Sequence, residues 1–335
     1  PPPPPLPLPP LPPLPNMELP GPRNDSVAKV PFLCPKCALP LVAAPPTRTG
    51  GAMLHCPSAH TIAVAKRGEV NLVPAGRISR KGKVRGDDDN SVRARRAFFE
   101  ADGYAAQRTA VAREVSLALE PRLIASRLAS PSTSLHVLDA GGGEGAYLSQ
   151  LAQLFAEDSS EGIDSRREGC VKLDLIGTDL SKLAVKMAAA KHKSTPDVAF
   201  RFAVASSNRL PFRDHSLDCV MSVFAPVPFS EFARVVVAGG AVVVARPGPD
   251  HLHGLKGLIY NNPAPQAAQD TEGLPAPERT VEVRTVHTFR GAEAINLFNM
   301  TPFFWNASEE LQARVNQGGV EFTTPINFII STYRL

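Results

Sequence analysis

The sequence predicts an α/β fold: a mostly parallel sheet with helices on both faces, preceded by a small metal-binding module. Three observations predict it. Short apolar runs alternate with helix-period segments from about residue 135 onward, which is how parallel strands and crossover helices read. One strand turns into its helix through Val137-Leu-Asp-Ala-Gly-Gly-Gly-Glu-Gly145. Such a turn exposes backbone N–H groups at a helix N-terminus, and glycines let a ligand approach them. Ahead of both stand a C-x2-C pair and a C-x3-H pair.

In chain order, residues 1–15 are eleven prolines and four leucines, a polyproline-like run that cannot form a core. Residues 1–30 therefore read as a disordered extension. It lacks the arginines and serines of a typical transit peptide. The start at Pro1 rather than Met reads as a fragment or a processed form. Residues 31–74 read as a zinc-binding module. Cys34-Pro-Lys-Cys37 and Cys56-Pro-Ser-Ala-His60 are separated by eighteen residues, and two such knuckles can converge tetrahedrally on Zn²⁺. His55 is the rival fourth ligand; His60 is preferred because His55 would crowd the Cys56 knuckle. Residues 61–73 read as a short strand pair that finishes the module.

Residues 75–134 read as a basic linker followed by helices. The stretch 75–90 is rich in Gly, Arg and Asp, a linker composition. Residues 91–120 carry a helical period, with Ala97, Phe98, Ala101, Tyr104 and Ala105 toward one side. From 135 to 335 a single sheet domain is expected. Its first strands are predicted at 135–138, 173–178, 200–205, 219–224 and 241–245, with helices at 146–156, 182–191, 229–236 and 251–260. Residues 261–279 read as a surface loop. Strands at 281–289 and 326–333 flank a helix at 292–300, a closing pair of the kind that ends a methyltransferase-type sheet.

Composition bounds the partners. The chain of 335 residues is 43% hydrophobic, as a folded protein should be. Its net charge is only +4, yet residues 66–96 hold ten Lys/Arg against four acids. A stripe of that kind is the footprint of a polyanion, although a solvated linker looks the same. No apolar run reaches the length of a membrane span. Five cysteines, three of them in the metal-like pattern, argue against a secreted disulfide scaffold.

The glycine stretch is the ligand-binding candidate. Gly141, Gly143 and Ala146 also satisfy the loose dinucleotide pattern. Asp139, two residues before the first glycine, suits S-adenosylmethionine instead, since its carboxylate would face the cationic amino-acid end. Asp179 ends the second strand, where an acid can accept both ribose hydroxyls; a helix cap is its plain alternative. Ala205-Ser-Ser-Asn-Arg-Leu-Pro-Phe212 follows the third strand, next to where an adenine would lie. Phe224-Ala-Pro226 ends the fourth, where a methyl-acceptor base would lie.

With these residues in view, the chain resembles the bacterial 23S rRNA (guanine-N1)-methyltransferase family from Phe32 nearly to its C-terminus. The resemblance rests on Cys34-Pro-Lys-Cys37, Cys56-Pro with His60, Ala94-Arg-Arg-Ala-Phe98 with Gly103-Tyr104, and Gly143-Glu-Gly145. It rests further on Asp179-Leu-Ser-Lys182, Arg209-Leu-Pro-Phe212, Pro247-Gly-Pro249 with His251, and Met300-Thr-Pro-Phe303 with Trp305. It implies a Rossmann-like class I methyltransferase sheet behind a zinc module. It implies cofactor contacts from Tyr104, Gly143, Glu144 and His251, and zinc on Cys34, Cys37, Cys56 and His60. Gly142 departs from the pattern, which commonly has Cys there. Residues 157–172 are longer and more charged than expected, and Ala238 stands where a Pro-Gly-Gly turn is usual.

The expected reaction is methyl transfer from S-adenosylmethionine to N1 of an unpaired guanine in an rRNA hairpin or loop. No residue stands out as a base. The rivals are a small-molecule methyltransferase, an inactive zinc-dependent RNA-binding protein and, more distantly, an NAD(P)-dependent oxidoreductase. No membrane partner is expected, and a homodimer is one option. The expected setting is intracellular: cytoplasmic for a bacterial chain, chloroplast or mitochondrion for a eukaryotic one.

Overall fold

The structure is a computed structural model that describes residues 32–44, 51–74, 87–129, 134–160, 171–263 and 274–335. The Pro-rich start, the centre of the basic stripe (75–86) and most of the 157–172 insert lie outside the described residues. The elements in chain order are β1 (Val42–Ala43), β2 (Met53–His55), β3 (Thr61–Ala63), β4 (Val70–Asn71), α1 (Asp89–Glu100) and α2 (Ala105–Ala129). Then come β5 (Ser134–Ala140), α3 (Ala146–Ser160), β6 (Lys172–Asp179), α4 (Lys182–Lys191), β7 (Val198–Val204), β8 (Leu217–Val223) and α5 (Phe229–Val235). The chain ends with β9 (Val236–Pro247), α6 (His253–Gly257), β10 (Arg279–Phe289), α7 (Gly291–Met300), a 3₁₀ turn (Pro302–Asn306), α8 (Glu309–Asn316) and β11 (Phe322–Arg334).

The large sheet runs β10-β11-β9-β8-β5-β6-β7-β4. Strands β4 to β9 are parallel to their neighbours in it, while β11 is antiparallel to both β9 and β10. This is the mixed sheet of a class I methyltransferase. The parallel strands are mostly apolar because both faces are covered; all seven residues of β8 are buried. Val137 and Leu138 feed opposite faces. Val137 joins the cluster under α2, α3, α4 and α7, and Leu138 the one under α5. Phe32, Cys34, Leu41, Leu54 and Cys56 of the metal module belong to that second cluster.

Three elements differ from expectation. The second strand foreseen at the end of the module does meet the first through the antiparallel Val64–Val70 bridge, but β4 also pairs with β7, Val70 opposite Ala203, and becomes the edge of the large sheet. The helix predicted at 91–120 is two helices. Asp88 caps α1 by accepting from the N–H groups of Asn90 and Ser91. The chain then turns through Asp102 and Tyr104, both at positive φ. The Phe98 ring occupies the space beside Gly103, 2.3 Å from where a Cβ would sit. Finally, α2 runs through Pro121 instead of stopping before it. Beyond that proline, Arg122 pairs with the buried Asp218 at 3.0 Å, a tertiary tie that local propensity does not register.

Candidate active site and metal cluster

Strand order reverses at β5, with β6 on one side and β8 on the other. A crevice opens at the C-terminal ends of strands at such a point. Here it is a cavity of about 770 Å³. Its floor is the glycine loop. Thr178 O accepts from the N–H groups of Gly141 (2.8 Å) and Gly142 (3.0 Å), pinning the loop to the end of β6. Gly141 has φ +84°, and a Cβ there would lie 2.6 Å from that of Ala225, so the loop lies directly against the end of β8.

Asp139 is fully buried under this loop, and neither of its carboxylate oxygens has a hydrogen-bond partner. Burial, then the charges of Asp179 and Glu144, push its pKa up to about 8. Its carboxylate fills the volume that a side chain at position 142 would need, 2.5 Å from a Cβ there. A glycine at position 142 thus leaves the room that the Asp139 carboxylate occupies beneath the loop. A buried, unpartnered acid lining a cavity is costly unless a cation or a proton completes it.

Asp179 accepts from Gly143 N–H at 3.0 Å and Ser181 N–H at 2.7 Å. The cap of α4 is Ser181, whose Oγ accepts from Ala184 N–H. Asp179 instead ties the glycine loop to β6 and lines the cavity, where its remaining lone pairs are available. Ala205, Ser206, Ser207 and Asn208 line the same end.

Glu144 lines the cavity, but its carboxylate accepts from Arg95 Nε at 3.0 Å. Arg95 also pairs with Asp87. Sequence reasoning counted Arg95 only as part of the basic stripe. In the fold it hangs from α1 over Gly143, and the family-like Ala94-Arg-Arg-Ala-Phe98 motif was the signal that could have found it.

The opposite half of the cavity is aromatic. Tyr104 is buried, meets Phe98 edge-on at 4.9 Å and Phe328 at 5.3 Å, and burial raises its phenol well above the ordinary value. His251 Nδ1 accepts from Asn327 N–H at 3.1 Å. Burial, then the Lys256 charge, pull the His251 pKa down to about 4. The ring is therefore neutral at pH 7 with its proton on Nε2, a donor only. Phe224, Pro226, Pro247, Met300, Phe303 and Trp305 complete this half. The five acids of the lining (Asp87, Asp88, Asp139, Glu144 and Asp179) all belong to the glycine-loop side.

The seven sequence-predicted ligand-site residues, Tyr104, Asp139, Gly141, Gly143, Glu144, Asp179 and His251, all line this one cavity. On the far edge of the fold, Cys34, Cys37, Cys56 and His60 place one ligand atom each within 4.8 Å of one another. His55 is not in this cluster. Two tight turns build it: Ala38 N–H donates to Cys34 O at 2.8 Å, and Ala59 N–H to Cys56 O at 2.9 Å. Cys37 Sγ lies 3.5 Å from Cys56 Sγ, and His60 Nδ1 lies 3.5 Å from Cys56 Sγ and 3.6 Å from Cys34 Sγ. Zn–S and Zn–N bonds of about 2.3 and 2.1 Å give tetrahedral edges of roughly 3.5–3.8 Å, so the donor set fits that ion. The module is fastened to the sheet domain by Leu33 N–H donating to Pro211 O at 2.7 Å and by Phe32 against Phe212. Among the described residues, no helix is long and apolar enough to cross a membrane.

Comparison with known proteins agrees with this architecture. Residues 138–244 match the family model described as a methyltransferase domain. The 23S rRNA (guanine(748)-N(1))-methyltransferase of Streptomyces fradiae is 32% identical over 222 residues, 65% of this chain and 64% of that protein. A Micromonospora griseorubida protein provisionally named as a 23S rRNA (guanine-N(1)-)-methyltransferase is 32% identical over 299 residues, 84% of this chain and 90% of that protein. YxjB of Bacillus subtilis (strain 168), provisionally named in the same way, is 28% identical over 180 residues, 52% of this chain and 58% of that protein. The chain thus spans under two thirds of the Streptomyces and Bacillus relatives, but nine tenths of the Micromonospora one. With 32% identity over that last span and the Cys3His cluster, glycine loop and aromatic cavity in place, the chain belongs to the 23S rRNA (guanine-N1)-methyltransferase family.

Proposed function

We propose that this protein transfers a methyl group from S-adenosylmethionine to N1 of a guanine in 23S-type rRNA. The observation that carries the reading is one cavity whose described lining joins five acids beside the glycine loop to a cluster of aromatic side chains with His251. The acidic half suits a ligand with a cationic amino-acid end and a ribose: Asp139 would hold the cation and Asp179 the ribose hydroxyls. When bound, S-adenosylmethionine supplies an electrophilic methyl group on its sulfonium. The aromatic half would hold a planar base with its Watson–Crick edge toward that methyl, which requires the guanine to be unpaired or extruded. His251 Nε2–H lies at the boundary as a donor. Positioning and the cationic sulfonium beside it would favour loss of the N1 proton to solvent.

Cys34, Cys37, Cys56 and His60 would hold Zn²⁺ in a closed structural site that stabilises the module. The module and the adjoining basic stripe would contact rRNA phosphates, which position the substrate without reading sequence.

The test is methyl transfer from labelled S-adenosylmethionine to a 23S rRNA transcript. A methyl on N1 blocks base pairing, so reverse transcription should stop beside a single guanine. Label transferred to a small molecule only, or to another base, would overturn the reading.

A further inference from the structure

The chain has one tryptophan, and it is the most exposed large apolar side chain among the described residues: Trp305 is 67% exposed. A lone exposed apolar side chain is ordinary on a protein surface, but this one lines the cavity together with Met300, Phe303 and Phe224. Trp305 is also held in place. It sits in the 3₁₀ turn after α7, where its ring meets Phe304 edge-on at 5.1 Å and an interplanar angle of 87°. Phe304 in turn meets the fully buried Phe298 at 5.6 Å. The neighbouring Phe303 is fixed from below by the Lys256 ammonium, 5.6 Å from its ring centroid. An indole that touches Phe304 and is still 67% exposed keeps ring surface for something else. That ring lines the same cavity as Phe224, which is 39% exposed and held at φ +51° just after β8.

We infer that Trp305 is the base-holding residue: its indole stacks on the extruded guanine and, with Phe224, sets the base in line with the methyl group. The inference rests on the proposed function, whose reaction it refines. Stacking is favoured because bases offer a flat π-face, and an aromatic side chain can meet it without a hydrogen-bond code. Selection of guanine then falls to edge donors such as His251 Nε2–H, while Trp305 supplies residence and orientation.

Trp305→Ala and Trp305→Phe should be compared with the unaltered protein on a 23S rRNA transcript. The alanine variant should lose kcat/KM by about 5- to 100-fold, the range that removal of one base-stacking aromatic costs. Phenylalanine should restore most of it. S-adenosylmethionine affinity by calorimetry and the melting temperature should stay unchanged in both variants. As the sole tryptophan, Trp305 also reports directly. Its emission should be quenched by an RNA hairpin carrying the target guanine and not by the same hairpin with an abasic nucleotide there. If the alanine variant keeps full kcat/KM and the abasic hairpin quenches equally, Trp305 does not stack on the base, although the methyltransferase reading stands. If the unaltered protein methylates no rRNA, that reading fails, and this assignment falls with it.

Discussion

Asp139 offers the sharpest test of the cofactor half of the site. With its pKa at about 8, the free protein holds a proton on this carboxyl through neutral pH. A cationic amino-acid end docked against it favours the ionised form, so binding must expel that proton. The affinity for S-adenosylmethionine should then be flat below the bound carboxyl's pKa, roughly one to two units lower than that of the free protein, and rise from there toward pH 8 by at most about tenfold per pH unit. Above that, the ligand's own amino group, with a pKa of about 8, loses its charge and affinity falls again. Asp139→Asn removes the titration. A charge-assisted hydrogen bond contributes about 1.5–3 kcal/mol. Ionising Asp139 at pH 6, two units below its pKa, costs about 2.7 kcal/mol. The Asn variant should therefore bind nearly as well as the unaltered protein at pH 6 and about tenfold or more worse at pH 8. Titration calorimetry in two buffers of different ionisation enthalpy at pH 6.5 should show a net release of protons by the unaltered protein and none by the variant. Parallel pH profiles for the two proteins, with no proton released, would refute the pairing.

The same carboxyl governs stability without ligand. Its folded pKa lies above the unfolded value of 3.8, so its contribution is fully present below about pH 4 and is lost as pH rises toward 8. Asp139→Asn should accordingly melt higher than the unaltered protein at pH 8 and equally at pH 4; a fixed difference at both would count against it. Arg95→Ala would leave the buried Glu144 without its partner and should lower stability by about 1.5–3 kcal/mol. The denaturation midpoint checks this, and S-adenosylmethionine affinity should fall with it; a change below about 0.5 kcal/mol, the surface background, would mean the pair is inert. Elemental analysis should find one zinc per chain, lost in Cys34→Ser along with the module's resistance to proteolysis. A metal-free protein whose Cys34, Cys37 and Cys56 thiols all react freely would be the contrary result.

The αβ alternation, the glycine loop and the two knuckles were legible in the chain because each is written in local terms: a hydrophobic period, a turn chemistry, a ligand spacing. The helix at Lys182–Lys191 came out with the predicted bounds, since its cap Ser181 and its apolar period lie within one segment. The family motifs likewise singled out residues from five separate stretches. What the alternation did not contain is how distant segments meet. The pairing of Val70 and Asn71 with β7 crosses more than 130 residues and involves a strand of two, too short to carry a period. Arg95 reads as one more basic residue until the fold sets it against Glu144, 49 residues away. The turn at Pro302–Asn306 and helix α8 were not foreseen, and nothing local distinguishes an anchored, exposed Trp305 from a core tryptophan. Periodicity and spacing are properties of neighbours along the chain. Burial, ion pairing and the shape of a cavity depend on which surfaces the assembled sheet brings together, and only the tertiary structure decides that.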